Sequence, residues 1–463
     1  MSFPKYPTYK DSGVEWLGEV PEHWAIFSLK RAVDGCANGL WGEEPDGEND
    51  IAVIRVADFD RGISRVGLDK LTYRSITQKE RASRLLQPGD LLIEKSGGGE
   101  KTLVGCVVLF EHDFQAITSN FVARMRPLVE FDNRFLCYAF DSLYQGKVNY
   151  PAIKQTTGIQ NLDSEAYLQE RFCFPPRAEQ TKIARFLDHE TARIDALIEE
   201  QQRLIELLKE KRQAVISHAV TKGLDPSVPM KDSGVEWLGE VPAHWEVTRI
   251  GWQCLVGNGC TPSRDNQNYW NGGHFPWLNS SKVNLGRVVN SDQFVTDSAL
   301  KECALPIVKP GCVLMAITGE GKTRGMVTIT EIEATISQHI AFMEPRSCAL
   351  ISSYLHDWLS ANYERVRHDS ADWGSTKAAI TCADIRAYPL PLPPIDEQNK
   401  ICQFIEEKSS LFDDLTLAAD ENVNLLQERR SALISAAVTG KIDLRGWQPP
   451  TSAPAPIREQ ETV

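Results

Sequence analysis

The sequence predicts an α+β protein built twice over: two tandem heads of mixed helix and strand, each followed by one long helix. Three observations predict it. Residues 10–24 read KDSGVEWLGEVPEHW and recur as residues 231–245 with one change, Glu22 to Ala243. A repeat of that length divides the chain into two halves of nearly equal size. Residues 178–220 and 396–438 contain neither proline nor glycine, which marks two long helices. The front part of each half instead alternates short apolar runs with Gly- and Pro-bearing turns, the signature of short strands.

The landmarks recur in order behind the repeated segment. Pro88-Gly89-Asp90 returns as Pro310-Gly311-Cys312, and Gly105 as Gly325. Pro175-Pro176 with Glu179-Gln180 returns as Pro393-Pro394 with Glu397-Gln398, and Ala219-Val220-Thr221 as Ala437-Val438-Thr439. Strands are predicted over residues 51–56, 90–94 and 104–110 in the first half, and over 313–317 and 326–329 in the second. Shorter helices are predicted over 133–144 and 350–365. These landmarks set the boundaries at 1–174 for the first head, 175–223 for its helix, 224–392 for the second head and 393–441 for its helix. A Pro-rich segment, residues 447–463, reads as a disordered tail.

Each long helix comes directly after a Pro-Pro stop, and a glutamate just inside it (Glu179, Glu397) suits the exposed amides of a helix start. Gly223 and Gly440 supply the ends. One heptad register covers both. Leu187, Ile194 and Leu208 take one core line of the first helix, with Ile183, Leu197 and Leu204 on the other. The second helix places Ile405, Phe412, Leu426 and Leu433 on one line, with Ile401 and Leu415 on the other. An apolar seam of that length favours helix pairing over a helix lying on its own domain. At ~1.5 Å per residue such a helix spans on the order of 60 Å and would act as a spacer.

Composition narrows the class. A hydrophobic fraction of 42% and a charged fraction of 24% are ordinary for a soluble globular protein. No apolar run reaches the roughly 18 residues a membrane span needs, and the N-terminus lacks a secretion pattern. The eleven cysteines include no C-x-x-C pair, so they read as reduced thiols of a cytoplasmic protein rather than as disulfides or metal ligands. A net charge of −13 argues against coating nucleic acid through bulk charge, while leaving room for local positive contacts.

No constellation able to do chemistry stands out, and no metal site. Residues 316–323, AITGEGKT, match a loose phosphate-loop pattern, but that loop must open a helix. Residues 324–330 instead read RGMVTIT, a strand pattern. A glycine-rich turn carrying Lys95, Lys101 and Thr102 in the first half, and Lys322, Thr323 and Arg324 in the second, fits an approach to a phosphate backbone better. Trp16, Trp24, Trp237 and Trp245 lie in the repeated segment and read as core anchors. The middles of the heads differ, with Arg55-Val-Ala-Asp58 standing where Trp277-Leu-Asn-Ser-Ser-Lys282 stands in the second. Loops mixing Asn, Lys, Arg and aromatics suit base-edge and backbone contacts. The candidate DNA-binding residues are Arg55, Lys95, Lys101, Thr102, Asn120, Lys154, Trp277, Asn279, Lys282, Lys322, Thr323, Arg324 and Lys377.

The duplicated frame resembles the specificity (S) subunit of type I restriction-modification systems. The opening segment KDSGVEWLGEVPxHW, the Pro-Gly-Asp strand leading to a glycine-rich turn and the Pro-Pro-x-x-Glu-Gln helix start carry the resemblance. So do the helix endings AVTKGLD and AVTGKIDLR. The match covers about residues 8–446, and Cys312 departs from it where the first copy has Asp90. The resemblance implies two target-recognition domains separated by two conserved helices packed as an antiparallel coiled coil, with pseudo-two-fold organisation. It implies a sequence-specific DNA-binding subunit, non-catalytic by itself, that reads a bipartite double-stranded target and directs adenine methylation and restriction of foreign DNA. Two modification (methyltransferase) subunits would dock on the helices, and restriction (motor-nuclease) subunits would complete the complex. S-adenosylmethionine, ATP and Mg²⁺ would belong to those partners. A coiled-coil scaffold that binds only protein is the alternative.

Overall fold

The computed structural model describes residues 3–97, 102–156, 158–319, 321–370 and 379–449. Lys101, Lys377 and tail residues 450–463 lie outside the described residues. The chain divides into two compact units, Met1–Gln201 with Glu421–Val463, and Gln202–Asp420. Each unit thus holds one head, the first part of the long helix that follows it and the last part of the other long helix.

In the first unit the repeated segment forms a hairpin, Tyr9–Asp11 against Glu19–Pro21. Trp24 comes next, completely buried. Strand Ala25–Ser28 then pairs antiparallel with Arg171–Phe174, closing the head at its two ends. Between them lies a six-stranded sheet in which Leu91–Glu94 sits between Val122–Met125 and Val107–Leu109. All four residues of Leu91–Glu94 are buried, so the strand is a continuous run rather than an alternating one, as expected when both faces are covered. A second sheet joins Asp50–Ile54 in parallel to Ala116–Thr118. Helix Asn133–Gln145, capped by Asp132, lays Phe135, Leu136 and Phe140 into the core.

The second unit repeats this plan from different side chains. Met230–Asp232 pairs with Glu240–Pro242, Trp245 is fully buried, and Glu246–Arg249 pairs with Pro389–Leu392. Val313–Ala316 lies between Ile340–Pro345 and Val327–Thr330. Phe275–Leu278 runs parallel to Ala334–Ile336, as Asp50–Ile54 does to Ala116–Thr118. The helix expected over 350–365 is two helices, Ser352–Ala361 and Tyr363–Asp369.

Both copies of Pro-Pro-x-x-Glu-Gln make tertiary contacts. The carboxylate of Glu179 accepts from the Tyr6 hydroxyl, from Trp24 Nε1 at 3.2 Å and meets His23 Nε2 at 2.9 Å. Glu397 meets His244 Nε2 at 2.7 Å. Gln180, 2% exposed, accepts from the Asp132 amide and donates to the Pro175 carbonyl, and Gln398 bridges Ile351, Ala349 and Pro393 in the same manner. Each glutamine is a clip between head and helix start. Asp90 is likewise structural: it is 1% exposed and takes Arg126 at 2.7 and 2.8 Å. In the second unit both partners change together, to Cys312 and Glu344. The Cys312 thiol instead donates to the Met343 carbonyl, so the buried ion pair is replaced whole rather than broken, avoiding an unpaired buried charge.

The long helices, Arg177–Lys222 and Ile395–Val438, run antiparallel where they meet. In the first unit Lys182 reaches the Arg445 carbonyl while Asp195 pairs with Arg430 Nε at 2.9 Å. In the second unit Arg212 pairs with Asp413 at 2.8 Å. Asp195 corresponds to Asp413 in the repeat and Arg212 to Arg430, so one ion pair occurs twice with the helices exchanged. The seam itself departs from the predicted register. Ile183, Leu187, Ile194, Ile401, Ile405 and Phe412 are buried, and Leu208, Leu426 and Leu433 are half-buried. Leu197, Leu204 and Leu415 are 39, 41 and 44% exposed and lie outside it. Ile198, Ile205, Thr416 and Val423 turn inward instead. Ile183 and Ile401 explain the difference. Both pack into the cores of their heads, and steps of seven from a head-facing residue lead off the helix–helix line. No helix of the described residues is long and apolar enough to cross a membrane. Trp447, assigned by sequence to the tail, packs edge-on against Phe186.

Candidate nucleic-acid interface

One piece of backbone is built identically in both heads. In the first, Ser119-Asn120-Phe121-Val122 is a β-turn closed by Val122 N–H to Ser119 C=O at 3.0 Å. In the second, Ser337-Gln338-His339-Ile340 is closed by Ile340 N–H to Ser337 C=O at 3.1 Å. Four further bonds clamp each turn. Ser119 N–H donates to Ile54 and Leu40 N–H to Thr118; Gly39 N–H donates to Val122 and Lys95 N–H to Phe121. The second head repeats all four, as Ser337 to Leu278, Cys260 to Ile336, Gly259 to Ile340 and Ile317 to His339. Glycine is required at the crossing. A Cβ on Gly39 would lie 2.0 Å from the Thr118 oxygen, and one on Gly259 would lie 1.9 Å from the Ile336 oxygen.

The clamp fixes two exposed side chains at the turn tip, and these are where the heads differ: Asn120 and Phe121 against Gln338 and His339. In the first head Asn120 borders two adjoining concavities. Trp41, Arg55, Val56, Ala57, Ser119 and Phe121 line one of about 380 Å³. Asn38, Gly39, Lys95, Ser96, Asn161 and Leu162 line the other, of about 460 Å³. Phe121 stands 51% exposed beside them. Arg55 caps the short turn Val56–Asp58 and is held by Asp58 at 2.8 and 3.3 Å. Lys95 donates to Asn38 Oδ1 at 2.6 Å. Lys154 sits opposite Asn161 in a strand pair and is bound to Asp163 at 2.8 Å. The structure thus brings Arg55, Lys95 and Asn120 onto one surface, with Lys154 beside it and Thr102 exposed.

The second head is less kind to the sequence reading. Asn279 takes the place of Arg55 at the start of a short turn, Ser280–Asn284, and its side chain accepts from the Ser281 amide. Trp277 is 3% exposed and donates to the Cys260 carbonyl, so it is a core residue. Lys282 is 9% exposed and pairs with Asp292 at 2.7 Å, which spends its charge internally. Arg324, 5% exposed, is buried as well. Lys322 is exposed and Thr323 half-buried. The carbonyls of Gly321, Lys322 and Arg324 accept from Arg367 and Tyr363, so the turn closes on its own helix. It leads into the strand Val327–Thr330, not into a helix.

What sequence reasoning missed is Gln338, His339, Thr261 and Thr318. The Thr261 hydroxyl donates to Gln338 Oε1, Gln338 Nε2 meets His339 Nε2 at 3.1 Å, and His339 Nδ1 meets Thr318 Oγ1 at 2.7 Å. A signal was present. Residues 116–127, AITSNFVARMRP, and 334–345, ATISQHIAFMEP, share Ala, Ser, Ala, Met and Pro at matching places. Glu94, fully buried, is bound by Arg61 at 2.7 Å, and burial raises the pKa of its carboxyl. Among the described residues no group of three or more His, Cys, Asp or Glu is disposed to hold a metal ion.

Residues 242–422 match the family model described as a type I restriction modification DNA specificity domain. The type I restriction enzyme MjaX specificity subunit of Methanocaldococcus jannaschii is 22% identical over 452 residues, which is 96% of this chain and 99% of that one. Among solved structures, a chain from work on complex assembly and conformational transition of the type I R-M system superposes with a TM-score of 0.69 at 16% identity. It covers 90% of this chain and 98% of its own. The HsdS subunit from Thermoanaerobacter tengcongensis gives a TM-score of 0.54, also at 16% identity, over 91% and 98%.

Proposed function

As a member of the specificity-subunit family of type I restriction-modification systems, this chain, we propose, reads a bipartite double-stranded DNA target, one part with each head. Non-catalytic itself, it directs adenine methylation and restriction by the subunits bound to it in the cytoplasm. The observation that carries the reading is the pair of identically clamped turns bearing unlike tips. A frame built twice to hold different polar and aromatic side chains at the surface suits two contacts of one kind with two different sequences. The domains are assigned accordingly, 1–174 and 224–392 as target-recognition domains and the two long helices as spacers.

Docking of two modification subunits is assigned to the outer faces of those helices. Leu197, Leu204 and Leu415, excluded from the seam, leave apolar surface there that a partner would cover. S-adenosylmethionine, ATP and Mg²⁺ are assigned to the partner subunits. The Gly-Lys-Thr turn lacks the helix start that would receive phosphate, and restriction subunits would complete the assembly. Mapping methylated adenines in the host genome with and without this gene tests the proposal. A two-part motif with an unread gap should disappear on deletion and return on complementation. An unchanged methylation pattern would overturn the reading and favour a protein-binding scaffold.

A further inference from the structure

Resting on that reading, we propose that the amide at each turn tip, Asn120 in the first head and Gln338 in the second, is the base-reading group of its head, and that each takes an adenine. The clamp supplies the reason. Five backbone hydrogen bonds and a glycine crossing hold each tip in one conformation. A side chain on such a turn projects with little freedom to lose on binding, the condition for discriminating one base edge from another. Of the two tip positions, the first is a carboxamide in both heads while the second changes chemical class, from phenylalanine to histidine. A carboxamide offers one acceptor and one donor side by side, matching the N6 amino group and N7 of adenine in the major groove.

The surroundings agree. Asn120 is exposed, among the described residues its side chain has no hydrogen-bond partner, and it borders both adjoining concavities. Lys95, lining one of the same concavities and with its ammonium bound, among the described residues, only to Asn38 Oδ1, is placed to meet a flanking phosphate rather than the base, whereas Arg55 is already paired with Asp58. Gln338 reaches further by one methylene and is steadied by Thr261 and His339, which orient its amide before any duplex arrives. The longer side chain is braced and the shorter one free, and each offers the same carboxamide edge.

The test uses the assembled complex with its modification subunits and duplexes in which each base pair of the mapped target is changed in turn. Asn120→Ala should relax discrimination at one A·T pair of one part of the target by about 5- to 150-fold, the worth of a good bidentate contact. Every position of the other part should keep its preference. Gln338→Ala should do the converse. Asn120→Asp, nearly isosteric, should move the preference at that same position from adenine towards cytosine, because a carboxylate accepts from the cytosine amino group. Complexes of these variants that discriminate every base pair as the unsubstituted one does would overturn the inference while leaving the two-part target standing. Absence of any two-part target from the unsubstituted complex would instead overturn the reading on which the inference rests.

Discussion

Replacing Gly259 by alanine tests the clamp directly. The added Cβ would lie 1.9 Å from the Ile336 oxygen and 2.5 Å from the Ser337 oxygen. Both are backbone atoms and cannot rotate aside, so the chain must move by more than 1 Å, given a normal contact of roughly 3.4 Å. Overpacking costs about 1–3 kcal/mol. The movement also pulls on Gly259 N–H to Ile340 and Cys260 N–H to Ile336, at about 0.5–1.5 kcal/mol each. Together these give roughly 2–6 kcal/mol. For a unit the size of Gln202–Asp420, each kcal/mol moves the midpoint by about 2–4 °C, so the transition should fall by roughly 4–24 °C. Differential scanning calorimetry of the full chain reads this. Gly286→Ala, in the same unit with open space around the new Cβ, is the control and should change stability by no more than about 0.5 kcal/mol. A Gly259→Ala transition no lower than that of Gly286→Ala would refute the claim that the crossing requires glycine.

Two further outcomes are expected. Ile205→Ala should destabilise by about 2 kcal/mol or more in urea unfolding, because Ile205 is 8% exposed. Leu204→Ala, at a residue 41% exposed, should cost under about 1 kcal/mol, and equal costs would contradict a seam that runs through Ile205. Lys322→Ala should leave the isolated chain without ATP binding, as before the change, and should reduce the salt slope of duplex binding by about one if Lys322 meets a phosphate. Calorimetric titration showing ATP bound by the isolated chain and lost on this change would contradict the structural reading of that turn.

The duplication and the long helices were legible because they are written locally, in identical strings and in long segments without glycine or proline, whereas their antiparallel packing was implied by the family resemblance alone. Trp24 and Trp245 were legible as anchors for the same reason, but Trp16, 40% exposed, and half-buried Trp237 are not the core residues expected. The clamp was not. Its bonds join residues such as Gly39 and Val122, or Gly259 and Ile340, through backbone groups that carry no side-chain signature. Lys282 and Trp277 were misplaced because composition alone cannot distinguish a lysine spent on Asp292, or an indole spent on a carbonyl, from one offered to solvent. The seam's second line went astray at Ile183 and Ile401, which are apolar because of the heads rather than the partner helix.

Each head should carry its own part of the target, and that is the central claim. Replacing residues 246–392 by residues 25–174 exchanges a head together with both of its closing strands, Ala25–Ser28 and Arg171–Phe174, on a frame whose Trp24 and Trp245 are equally buried. Methylation mapping of cells carrying the hybrid with its modification partner measures the outcome in one experiment. The expected target is made of two copies of the part read by the first head, with the original second part gone. A hybrid that assembles, methylates and still requires the original second part would contradict the claim.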